Sequence, residues 1–132
     1  MTPEADVLAQ NRIERALAAC REGDLLSEKQ AYRGAINRYY YAAFHAARAL
    51  LATHNVDSAR HAGVIALFQQ HFVKTGDFPA EVARALPRSF EKRLSSDYSD
   101  FVEIGADEVE RVRADVHAFV DVCREFLARP QS

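Results

Sequence analysis

The sequence predicts an all-α fold: one domain built as an up-and-down bundle of four to five helices. Two observations carry this. Apolar residues recur at helical spacing in several long stretches, most clearly over residues 106–127. No stretch alternates apolar and polar residues as a half-buried strand would, and no internal repeat or low-complexity run appears. A chain of 132 residues is long enough to bury a core of its own and short enough for a single domain, 1–132 with a core of about 5–128.

Taken in order, Thr2-Pro3-Glu4 reads as an N-cap followed by proline at the first helical position. The first helix is expected to reach about Arg21, with Leu8, Ile13, Ala16, Leu17 and Cys20 inward and Arg12 and Arg15 outward. Gly23-Asp24 is its expected stop. Ser27-x-x-Gln30 has capping-box spacing, so the second helix is expected from near Glu28 to about Thr53. Ile36, Tyr40, Phe44, Ala47 and Leu51 form one stripe of it. Tyr39, Ala43, Ala46 and Leu50 form the neighbouring stripe. So wide an apolar arc predicts a central helix contacted from several sides. Gly34 is tolerable there if another helix packs closely.

The third helix is expected over about Ala59 to Lys74, burying Val64, Ile65, Leu67, Phe68, Phe72 and Val73. The fourth, roughly Ala80 to Ser96, carries Pro87 in its interior and should kink or break there. The segment from Ser95 to Phe101 reads as a polar loop whose two aromatics, Tyr98 and Phe101, pack rather than float. The last helix spans about Ala106 to Leu127, with Asp107 and Glu108 at its positive end and Arg124 near its negative end.

Several function classes fall away. No apolar run approaches the roughly 20 residues of a membrane span. The acidic N-terminus lacks the basic and apolar regions of a signal peptide, so the cytoplasm is the expected location. Cys20 and Cys123 lie in apolar patterns and read as small core residues; they form no zinc-binding pair, and no metal or other cofactor is expected. A net charge of −2 argues against a protein that coats nucleic acid generally, but leaves room for a local basic patch. Arg84, Arg88 and Lys92 recur every four residues and supply one candidate, either as an RNA track or as a solvated face.

Arg38 and His45 are the first candidate site. Seven residues apart on one helix, they differ by only about 20° in direction. Histidine can move protons near neutral pH, and arginine can hold a phosphorane-like charge by a bidentate contact. The same spacing recurs at Arg48 and His54 and at Arg111 and His117, so it is a weak signal alone. His45 also reads as a core histidine, and Arg38 as an ion-pair partner for Asp97 or Asp100. Of the three tyrosines at 39–41, at least one ring should pack and another meet a partner. His61 reads first as packing the preceding loop; with Asp57 alone it makes no metal site.

The run Tyr32-Arg33-Gly34-Ala35, continued by Arg38-Tyr39-Tyr40-Tyr41-Ala42-Ala43-Phe44-His45-Ala46-Ala47-Arg48-Ala49-Leu50-Leu51, resembles the hallmark helix of HEPN domains. The match is nearest to the small bacterial and archaeal UPF0332 branch. His61-Ala62-Gly63-Val64-Ile65-Ala66-Leu67-Phe68 resembles that family's next helix, and Arg93-Leu94-Ser95-Ser96-Asp97-Tyr98 resembles its R-x-x-x-D-Y segment. The resemblance covers about residues 5–128. It implies a HEPN bundle that dimerises and is often paired with a minimal nucleotidyltransferase antitoxin. It also implies either a metal-independent endoribonuclease using Arg and His across a dimer cleft, or a non-catalytic module that binds the partner or RNA. In active relatives the Arg–His motif usually lies later in the bundle, where this chain has Arg93, Asp97 and Tyr98 in place of a histidine. These three join Arg38 and His45 as candidates, and Tyr98 is a candidate for nucleotide modification by the partner.

Overall fold

A computed structural model describes residues 2–98 and 103–129. Its helices are α1 (Pro3–Glu28), α2 (Tyr32–Thr53), α3 (His61–Phe68), α4 (Ala80–Ala83), α5 (Ala85–Tyr98) and α6 (Ala106–Ala128). A π-helical segment, Gln69–Val73, continues α3 directly. No strand occurs among the described residues. The fold is the expected all-α bundle, in which α1, α5 and α6 all pack against α2.

The sequence of α2 explains its place. Both predicted stripes are buried, and Tyr39, Tyr40, Ile36, Leu50 and Leu51 are fully so. Alanines at 35, 42, 43, 46, 47 and 49, all buried, let neighbouring helices approach its backbone. Gly34 does the same for α1: a Cβ there would meet the Leu26 side chain at 3.2 Å. From α6, Val109, Val112, Val116, Phe119, Val120 and Cys123 enter the core. Phe68, Phe78 and Phe119 meet there at centroid distances of 5.1–5.4 Å.

Several boundaries differ from expectation, each for a physical reason. α1 does not stop at Gly23-Asp24 but runs on to Glu28. Gly23 serves a close approach instead, since a Cβ there would lie 2.6 Å from Tyr39 Cε1. The chain turns out of the helix at Gln30, two residues on, whose φ of 62° is left-handed. The Ala31 amide donates to Leu26 O and the Gln30 amide to Ser27 O, a Schellman pattern. Ser27 and Gln30 therefore close α1 rather than cap α2, which begins at Tyr32. Arg12, expected outward, is buried, whereas Leu8, expected inward, is 42% exposed.

In the third helix Val64, Phe68 and Phe72 are buried, while Ile65, Leu67 and Val73 are only partly so. The break in the fourth falls at Arg84, one turn before Pro87. A proline ring clashes with the carbonyl four residues earlier, here that of Ala83, while Pro87 itself sits in the first turn of α5, where no helical amide bond is lost. Residues 95–98, expected as loop, complete α5, and Tyr98 is 80% exposed rather than packed. Asp100 and Phe101 lie outside the described residues.

Candidate functional site

The site is built on one face of α2. Arg38, Tyr41 and His45 follow at successive helical turns, so their side chains lie along one line. The Arg38 guanidinium stands 5.2 Å from the Tyr41 ring centroid, and the Tyr41 and His45 rings are 6.0 Å apart. From α5, Arg93 brings a second guanidinium to the same ring at 5.2 Å, and to Tyr40 at 5.5 Å. Two cations thus share one aromatic ring, an arrangement favourable for each alone but opposed by their mutual repulsion, which the Asp97 carboxylate beside Arg93 offsets on one side only.

Three buried polar atoms on this face make no hydrogen bond. Arg38 Nε, His45 Nδ1 and Arg93 Nε are buried without a hydrogen bond, three of the four such side-chain atoms among the described residues. Arg93 Nε does lie 3.2 Å from Asp97 Oδ2, close enough for an ion pair, but its N–H is not aimed at the oxygen. A buried polar atom left without a hydrogen bond costs about 1–3 kcal/mol. A ligand with anionic oxygens would accept from the two guanidinium N–H groups.

Burial, then the positive charges of Arg15, Arg48, Arg38 and Arg12, push the His45 imidazole down to about 4. His45 is therefore neutral at pH 7 and can accept a proton. An anion seated among these arginines would cancel part of their field and raise its basicity.

Beside this face, α1, α2 and the loop before α3 are tied by a charged clamp. Arg12 donates to Arg48 O at 3.0 Å and to Asp57 Oδ2 at 2.9 Å. Arg48 meets the same carboxylate with Nε at 3.1 Å and a terminal nitrogen at 2.8 Å. The Arg48 contact above all holds Asp57 at about 2. On the opposite side of α2, Asp24 Oδ1 accepts from Tyr39 Oη at 2.6 Å and Arg113 Nε at 3.0 Å, with His117 Nε2 also at 3.0 Å. Burial alone would raise the Asp24 carboxyl, but these contacts outweigh it and hold it below its usual range.

The structure brings Arg38, His45 and Arg93 together and leaves the other candidates apart. Asp97 pairs along its own helix with Arg93, and Tyr98 points to solvent. Arg38 does not pair with Asp97. Arg84 bonds Glu81 at 3.0 Å and Arg88 approaches that residue at 4.0 Å, while Lys92 reaches Glu108 at 3.1 Å. The basic stripe is thus locally matched by acids. His61 packs against Phe44 at 4.7 Å and accepts or donates at 2.5 Å to the Tyr40 hydroxyl. Cys20 and Cys123 are buried, and burial raises the Cys20 thiol to about 12, away from reactivity. Tyr41, Arg12, Arg48 and Asp57 escaped the sequence reading as members of this region. Three tyrosines in a row gave no sign of which one faces the site, and nothing near Arg12 announces a partner in the loop after α2.

Comparison with known proteins adds the family. A model described as HEPN domain matches residues 9–126. The chain is 32% identical to a UPF0332 protein of Thermotoga maritima, over 86% of each chain. It is 33% identical to the UPF0332 protein glr0978 of Gloeobacter violaceus, over 98% of this chain and all of that one. It is 35% identical to "Putative toxin MJ0605" of Methanocaldococcus jannaschii, over 89% of this chain and 87% of that protein.

Proposed function

The chain belongs to the HEPN domain family, and on that premise we propose that it is the toxin-like member of a toxin–antitoxin pair, acting as a metal-independent endoribonuclease. The observation that carries the reading is the convergence of Arg38, Arg93 and His45 around Tyr41, each with a buried nitrogen that makes no hydrogen bond. The relative named "Putative toxin MJ0605" supports the toxin-like part of this reading.

In the proposed reaction an RNA phosphodiester lies over Tyr41 between the two guanidiniums. His45, neutral in the free protein, takes the proton of the ribose 2′-hydroxyl. The 2′-oxygen bonds to phosphorus, the bond to the 5′-oxygen breaks, and that oxygen leaves with a proton taken from water. Arg38 and Arg93 hold the charge that builds on the phosphorus oxygens. A 2′-hydroxyl is needed, so the substrate is RNA rather than DNA. Two copies of the chain would pair across this face, and a minimal nucleotidyltransferase would be the antitoxin. Tyr98, with its hydroxyl in solvent, would attack the α-phosphate of a nucleoside triphosphate on that partner and release pyrophosphate.

One observation favours a second reading. An imidazole held near 4 is a weak base until an anion binds, which suits a module that holds RNA or the partner without cutting. The test is cleavage of RNA by purified protein in EDTA. Arg38→Ala and His45→Ala should each lower the rate about a hundredfold or more. Undiminished cleavage in both would refute the site, and RNA binding with no cleavage by the unaltered protein would establish the second reading.

A further inference from the structure

The line of Arg38, Tyr41 and His45 runs on along α2 to Arg48, and α1 lies antiparallel beside it. Three contacts fix the register of the two helices. Arg12 donates to Arg48 O, Gly23 lies against the Tyr39 ring, and Gly34 lies against Leu26. Residue numbers that rise along α1 therefore fall along α2. Arg15 and His45 each stand three residues from the Arg12–Arg48 contact, on the same side of it, which puts them at one level. Arg15 is exposed, and among the described residues it forms no ion pair. Arg12 and Arg48, one turn away, share the Asp57 carboxylate instead. Of the four arginine charges that act on His45, that of Arg15 acts most strongly.

We propose that Arg15 is a second phosphate subsite, which takes the phosphate on the 5′ side of the nucleotide whose 2′-hydroxyl meets His45. This subsite rests on the reaction proposed above and gives the bound strand a direction. The scissile phosphate over Tyr41 sits about 6 Å along the helix axis from the level of His45 and Arg15. The ribose that His45 deprotonates fills that interval. In a ribonucleotide within a strand, the 2′-hydroxyl lies between the 3′-phosphate, which is cut, and the 5′-phosphate. With the first at Tyr41 and the hydroxyl at His45, the 5′-phosphate is carried on towards Arg15. An arginine that holds no carboxylate can offer paired N–H donors to that phosphate without first releasing a partner. The same face of α1 carries the exposed Glu22 two turns on, level with Arg38. A strand prolonged at that end meets a carboxylate, whereas one prolonged at the Arg15 end meets a cation. The substrate is therefore single-stranded RNA that carries a phosphate on the 5′ side of the nucleotide that is cut.

The test gives the whole protein three ribodinucleotides in EDTA: one with a 5′-phosphate, one with a 3′-phosphate and one with neither. It reads kcat/KM for these and the Kd of their 2′-deoxy counterparts, which cannot be cut. The 5′-phosphate should improve both quantities about tenfold, the cleavage gain coming mainly through KM, and the 3′-phosphate should change them less than about twofold. In Arg15→Gln the tenfold preference should fall to about one, and Arg15→Lys should keep part of it. Each ratio is taken within one protein, so any effect of the substitution on folding or on His45 cancels. An equal gain from either end phosphate, or a 5′ preference that survives in Arg15→Gln, would overturn the subsite and leave the site at Tyr41 standing. A Kd for the dinucleotide with neither phosphate that Arg38→Ala leaves unchanged would remove the site and the subsite together. If the parent binds but cuts nothing, the ribonuclease reading fails, and the Kd ratios of the deoxy compounds still decide the role of Arg15.

Discussion

His45 should carry a measurable acid sensitivity, and its size follows from its surroundings. In the unfolded chain its imidazole titrates near the ordinary value of 6.5, whereas burial and the four arginines hold it to about 4 in the folded protein. Between those values the unfolded state binds a proton at this position and the folded state does not. Stability therefore rises with pH through the interval and is lost as pH falls from about 6.5 towards 4. Each proton is worth about 1.4 kcal/mol per pH unit, so the full interval amounts to about 3 kcal/mol. The perturbation is His45→Gln, which keeps a polar group of similar size but removes the titration. Unfolding free energies by urea at intervals from pH 4.5 to 7.5 should show a steeper pH slope for the parent, by nearly one proton, than for the variant. The comparison cancels His54 and His61, whose pKa values are also lowered. An oligonucleotide that resists cleavage should move the His45 titration upward by neutralising the arginines. Parallel pH slopes in the two proteins, or a His45 ring titrating near 6.5 in NMR, would refute the reasoning.

Two further substitutions test the packing around the site. Gly23→Ala should destabilise the fold by about 1–2 kcal/mol despite alanine's better helix propensity, lowering the melting temperature by roughly 4–8 °C. The Tyr39 ring that its Cβ would strike is fully buried and is held by Asp24 at 2.6 Å, so it cannot retreat; an unchanged or higher melting temperature would contradict this. Asp57→Ala should remove about 1–3 kcal/mol, read from urea unfolding at pH 7, because Arg12 is left buried beside Arg48 without its counter-charge. The half-exposed carboxylate keeps that figure below the cost of a fully buried pair, and a loss under about 0.5 kcal/mol would mean that the clamp contributes nothing.

Most of the fold was legible in the amino-acid order, because helix formation and helix faces are local properties. The stripes of α2 and α6, the N-cap at Thr2 and the close packing at Gly34 all follow from residues within a few turns of one another. So do the family resemblance and the line joining Arg38 to His45. The end of α1 was not legible: Ser27-x-x-Gln30 has the spacing of a helix start, and only the left-handed Gln30 makes it a stop. Gly23 looked like a terminator because nothing nearby shows that Tyr39 needs its missing side chain. The pairing of Arg12 with Asp57, the approach of Arg93 to Tyr41 and the depressed basicity of His45 were decided by tertiary structure alone. Each depends on charges and rings from different helices meeting at a few ångströms, and such distances are set by how the bundle packs rather than by any neighbouring residue.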